Sequence, residues 1–82
     1  MMKAPTKRMQ KVAIIALEER LHHARKKHPV FAESEDEAIV VIRDELNELI
    51  DAVAFEGRER VISEALDVAA TAMRLVMGDV AE

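Results

Sequence analysis

Cysteine, tryptophan and tyrosine are all missing from this 82-residue chain, and Phe31 and Phe55 are its only aromatic residues. Without cysteine there can be no disulfide, which fits a reducing compartment. With so few aromatics and half of the residues apolar, the core must be built from Ala, Val, Leu, Ile and Met. Two glycines and two prolines supply little material for turns, which predicts a few long helices. No apolar run is long and charge-free enough to span a bilayer. The short apolar stretch at residues 12–17 runs straight into Glu18, Glu19 and Arg20 without a cleavage site, so no signal peptide is expected. The expectation is a soluble, cytoplasmic chain with no membrane partner. One small domain covers residues 1–82, with residues 1–6 expected to be disordered. A domain of this size buries a modest fraction of its surface and often relies on a metal or a second subunit.

The formal charge of −4 conceals two halves of opposite sign. Residues 1–28 carry eight basic side chains against two acids, and residues 29–82 carry four against fourteen. The first segment can meet anions and the second cations, although solvated helix faces would look the same.

Three helices account for nearly all of the sequence. In the first, from about Lys7 to Lys27, Met9, Val12, Ala13, Ala16, Leu17, Leu21 and Ala24 recur at helical spacing. Pro29 ends it, because proline lacks a backbone donor and disfavours the helical conformation in the residue before it. Ser34-Glu35-Asp36-Glu37 reads as a capping box that opens the second helix, whose first-turn acids suit the positive end of the helix dipole. That helix should run to about Phe55 and close on Gly57 in the left-handed conformation. The third runs from Arg58 or Glu59 to Met77, with Gly78 as its stop. So short a connection makes helices two and three an antiparallel hairpin.

Each arm of the hairpin carries an acid pair at i, i+3, which puts both side chains on one helix face: Glu45 and Glu48, then Glu64 and Asp67. At ~1.5 Å of rise per residue, counting outward from Gly57 brings the two pairs within roughly one turn of each other. On helix two the expected core stripe is Ile39, Ile42, Leu46, Leu49, Ile50 and Val53, opposed by Arg43, Asp44, Asn47 and Asp51. Glu45 and Glu48 belong to neither stripe; they share a third sector with Val41 and Ala52. On helix three the polar stripe of Arg60, Ser63, Glu64, Asp67, Thr71 and Arg74 is narrow and the rest is apolar. Three helices alone cannot cover that much apolar surface, so further helices are expected from another subunit. Four converging carboxylates would raise one another's pKa unless a cation neutralised them. Oxygen ligands favour magnesium, manganese or calcium, and the absence of a Glu-x-x-His pair argues against a di-iron site. Solvated acids on amphipathic helices are the alternative reading of the same spacing.

At these residues the chain resembles the MazG-like all-α nucleotide pyrophosphohydrolase superfamily, whose motif is Glu-Glu-x-x-Glu followed by Glu-x-x-Asp on the next helix. Here it reads Asp44-Glu45-Leu46-Asn47-Glu48, then Glu64-Ala65-Leu66-Asp67, and the similarity extends from about Glu35 to Met77. The resemblance implies an all-α, three-helix subunit completed into helical bundles as a homodimer or homotetramer. It implies Glu45, Glu48, Glu64 and Asp67 as catalytic ligands of Mg2+, with Mn2+ as a substitute. The implied reaction is hydrolysis of a (deoxy)nucleoside triphosphate to the monophosphate and pyrophosphate. Two departures stand out. Asp44 replaces the first Glu of the motif, and a fourth helix common in the family has no counterpart here.

Arg20, His23 and Lys27 are neighbours along helix one and could face substrate, as could Arg60 and Arg74, although these two could equally be ion-pair partners of the acids. Arg58 lies close by, while His22 and His28 show no metal-ligand pattern. Within the same superfamily the competing activity is phosphoribosyl-ATP pyrophosphohydrolase. That branch carries a Tyr-His pair shortly after the second motif, where Thr71-Ala72 stands here. From another class, the basic first helix could make the chain a non-enzymatic nucleic-acid-binding module. Its cations are spread around the helix without interleaved aromatics, so nucleic acid is not the expected partner.

Overall fold

A computed structural model describes residues 4–81 and is all-helical in its regular elements: α1 (Lys7–Lys27), α2 (Glu35–Phe55) and α3 (Arg58–Val76). Residues 1–3 of the expected disordered segment lie outside the described residues. Ala4, Pro5 and Thr6 precede the first helix without joining it, and Thr6 Oγ1 caps it by accepting from the Met9 amide at 3.1 Å. At the other end His28 leaves the helical region ahead of Pro29, while Arg25, Lys26 and Lys27 sit at the negative end of the dipole. Ser34 opens α2 as expected, its Oγ accepting from the Glu37 amide at 3.2 Å.

The α2–α3 junction differs from the expectation at Gly57. Its φ of −85° and ψ of 172° are extended rather than left-handed. Only Glu56 and Gly57 separate the helices, and Glu56 already turns the chain out of α2 in an extended conformation. Gly57 then serves as the N-cap of α3, its carbonyl accepting from Arg60 and Val61. Among the described residues Gly78 is the left-handed one, with φ +74°. Its amide donates to the Leu75 carbonyl at 3.0 Å and the Asp79 amide to Arg74 at 2.9 Å, the crossed pair that ends a helix on glycine. The chain then returns to the α1–α2 connector, where Ala81 donates to the Ala32 carbonyl at 2.9 Å beside an isolated Ala32–Val80 bridge.

Helix α3 is the central element: α2 packs against it most extensively and α1 packs along another side. Arg20 reaches Ser63 and Asp67, and Ala24 and His28 reach Arg74, so α1 and α3 run in the same direction and α2 runs against them. Among the described residues the fully buried apolar side chains are all alanines, Ala32, Ala38, Ala52 and Ala70, which lets the helices approach closely.

Burial on α2 is rotated from the expected stripe. Ala38 and Ala52 are buried and Val41, Ile42, Glu45 and Leu49 are half-buried, whereas Ile39, Leu46, Ile50 and Val53 are exposed. The reason is that the one helix covering α2 lies along the line Ala38–Glu45–Ala52, two turns between each. The sector carrying Glu45 is therefore turned inward, and four of the expected core residues, Ile39, Leu46, Ile50 and Val53, face out. On α3 Ile62, Met73 and Val76 are exposed too. Among the described residues no helix is long and apolar enough to cross a membrane.

Candidate metal centre and cavity

Turning the Ala38–Glu45–Ala52 line of α2 onto α3 brings acids from the two helices together. One carboxylate oxygen from each of Glu45, Glu48 and Glu64 lies within 4.8 Å of the other two. Glu45 and Glu48 come from successive turns of α2, and Glu64 reaches them from α3. Glu64 is only 4 % exposed, and Arg60, one turn earlier on α3, pairs with its Oε1. Its Oε2, and Oε2 of Glu45, are buried without a hydrogen-bond partner. Buried polar atoms are almost always satisfied, because stripping water from one without replacement costs about 1–3 kcal/mol, more if it is charged.

Electrostatics carries the same message. The Glu45 carboxyl is pushed up from 4.5 to about 7, chiefly by burial, then by the neighbouring Glu48 carboxyl and by the charges of Asp67 and Glu64. Glu64 is also raised, again first by burial; Arg60 beside it pulls the other way, while Glu48 and Asp67 push it up. A cation among these acids would relieve the repulsion and supply the buried carboxylates with a ligand bond. The donor set is oxygen only, so a hard divalent ion such as Mg2+ or Mn2+ fits it.

Asp67 stands apart from the three. Its Oδ1 accepts from Arg20 Nη1 at 2.5 Å, and the same guanidinium donates to the Ser63 carbonyl at 2.8 Å and reaches Ser63 Oγ at 3.3 Å. Asp44, next to Glu45 on α2, is exposed.

A cavity of about 560 Å³ opens between α1 and the hairpin, with Glu45, Glu48 and Asp67 on one wall and Arg20, His23 and Lys27 on another. Glu64 does not itself line the cavity. No protein-family model, curated protein or solved structure matches the chain. The case for a function therefore rests on the geometry of these side chains.

The remaining candidates have other partners. Arg60 is an exposed side chain clamped by Glu64 and, at 3.7 Å, by Glu56, so it braces the acid cluster from outside the cavity lining. Arg74 is 2 % exposed and contributes to the cavity lining, but its guanidinium is engaged within the fold: Nε donates to Asp79 at 2.7 Å, Nη2 to the His28 and Pro29 carbonyls at 2.6 and 3.3 Å, and Nη1 to Ala24 at 3.3 Å. Its guanidinium carbon also lies 5.2 Å from the centre of the Phe31 ring. Residue spacing did not indicate Thr71 and Phe31 as lining residues, nor Ser63 as a partner of Arg20. Ser63 lies on the acid stripe of α3, one turn before Asp67, but only the packing of α1 reveals what it holds.

Proposed function

We propose that the chain is a subunit of a magnesium-dependent (deoxy)nucleoside triphosphate pyrophosphohydrolase, releasing nucleoside monophosphate and pyrophosphate. The observation that carries this reading is the pair of buried, partnerless carboxylate oxygens within a three-acid cluster beside the cavity. Glu45, Glu48 and Glu64 would hold the metal, with Asp67 as a fourth ligand. Bound there, Mg2+ (or Mn2+) would neutralise phosphate oxygens and lower the pKa of a water for in-line attack. The protein's own part is orientation and charge. The acids fix the position of the cation from two helices, and Arg60 steadies Glu64 from behind. Arg20, already paired with Asp67, lines the same cavity as His23 and Lys27, where the triphosphate of a substrate would lie. In the net reaction one water is consumed, the bond between the α- and β-phosphoryl groups breaks, and pyrophosphate leaves.

Pyrophosphate release from canonical and modified nucleotides, measured with Mg2+ and with chelator, tests the reading. Turnover is expected with Mg2+ alone, and Glu48→Gln should lower it by at least about 100-fold while leaving the helical fold intact. No turnover of any nucleotide, or an equally active folded variant, would refute the proposal. Preferential turnover of phosphoribosyl-ATP would instead assign the related activity.

We further propose that two or four copies assemble into the functional unit. Support comes from the exposed aliphatic residues Ile39, Leu46, Ile50 and Val53 on α2, with Ile62 and Val76 on α3. Light scattering should give a mass of two or four chains, and Ile50→Glu should shift the population toward single chains. A monodisperse single chain for the wild type would rule assembly out.

A further inference from the structure

Asp67 shares a stripe and a motif with Glu64, yet it does not join the converging oxygens of Glu45, Glu48 and Glu64. What occupies it comes from α1. Arg20 is fixed at three points, Asp67 Oδ1, the Ser63 carbonyl and Ser63 Oγ, and the two charged side chains are 29 % and 34 % exposed. A guanidinium so oriented holds the carboxylate to itself, and its positive charge opposes a second cation arriving nearby. Arg20 also lines the cavity, one turn before His23 and two before Lys27. Its planar fork suits phosphate oxygens as well as it suits a carboxylate. A polyanion entering along that wall therefore competes with Asp67 for the same donors.

We propose that Arg20 is a positioning residue that withholds Asp67 from the metal until substrate phosphates take over its guanidinium, so that metal and polyphosphate bind cooperatively. This rests on the metal-site reading of Glu45, Glu48 and Glu64. By linkage, bound polyphosphate tightens the metal by the same factor by which bound metal tightens the polyphosphate. The site is then complete only when both are present.

The test is a pair of binding measurements on the full chain: calorimetric titration with Mn2+, and titration with an α,β-methylene nucleoside triphosphate at saturating Mn2+. Arg20→Gln should tighten Mn2+ about 5- to 10-fold and weaken the nucleotide analogue by a similar factor. Damage to the fold would weaken both. Lys27→Gln removes the same charge from the same cavity and should change Mn2+ affinity less than about 2-fold. In an Asp67→Asn background the gain from Arg20→Gln should vanish, since the ligand being withheld is gone. Arg20→Lys, which keeps the charge but not the fork, should fall between wild type and Arg20→Gln. Unchanged or weaker Mn2+ binding in Arg20→Gln, a gain that persists with Asp67→Asn, or undiminished binding of the analogue would overturn the proposal while leaving the metal site standing. No saturable Mn2+ binding by the wild type would overturn both.

Discussion

Arg74→Met should lower the thermal midpoint by on the order of 15–30 °C, the largest stability loss expected of any single substitution in this chain. Arg74 is 2 % exposed and fastens three separate segments. It holds the last turn of α1 through Ala24 and His28, the connector through Pro29, and the turn after α3 through Asp79. Removing one partner of a buried ion pair typically costs about 3–5 kcal/mol; here Asp79 keeps some solvent and Arg25, but the Ala24, His28 and Pro29 carbonyls lose their shared donor as well. A domain of this length has a total stability of only about 4–12 kcal/mol. Asp79 offers an internal control. Arg25 approaches the same carboxylate at 3.8 Å but is half exposed, so Arg25→Met should cost no more than about 1 kcal/mol. Circular dichroism melts of the two variants check the contrast; a shift below about 5 °C for Arg74→Met would show that the buried network is not what holds these segments.

The second large effect concerns pH. Glu45 has a folded-state pKa of about 7 against an ordinary 4.5, so between these values the folded chain holds more protons than the unfolded one. Stability must then fall as pH rises from about 4.5 toward 7, and be fully reduced above 7. Glu64, raised in the same direction, adds to the loss. Allowing for solvent screening of a half-buried group, Glu45 contributes on the order of 1–2 kcal/mol, or roughly 5–15 °C in the midpoint. Melts at pH 5 and pH 7.5 in chelator should show that drop, Mg2+ should reverse most of it at pH 7.5, and Glu45→Gln should flatten the dependence. A midpoint that rises over this range, or one indifferent to Mg2+, would contradict the origin assigned to the shift.

These features were unequally legible in the sequence. The helix limits were carried by local chemistry: Pro29 stopping α1, Ser34 capping α2, and Gly78 supplying a positive φ after α3. The level at which the acids meet followed from counting residues on either side of a short connection, and Glu45, Glu48 and Glu64 do converge. Gly57 misled because glycine at a helix end suggests a left-handed close, whereas a two-residue junction had to start α3 at once. The α2 stripe misled because hydrophobicity marks what should be covered, not which neighbour covers it. Ile39, Leu46, Ile50 and Val53 are as apolar as any core, yet α3 lies over the alanine and glutamate sector. Arg20–Asp67 and Arg74–His28 join residues 47 and 46 positions apart, so no local pattern announces them.

Calorimetric titration of Mg2+ or Mn2+ at pH 7, in two buffers of different ionisation enthalpy, addresses the metal site most directly. Saturable binding with release of protons is predicted, because Glu45, with its pKa near 7, is partly protonated there and must lose its proton to bind a cation. Glu45→Gln should reduce the proton release, leaving only what Glu64 contributes, and weaken binding at least about 10-fold. Absence of saturable heat in the wild type, or binding that survives both Glu45→Gln and Glu48→Gln unchanged, would contradict the assignment.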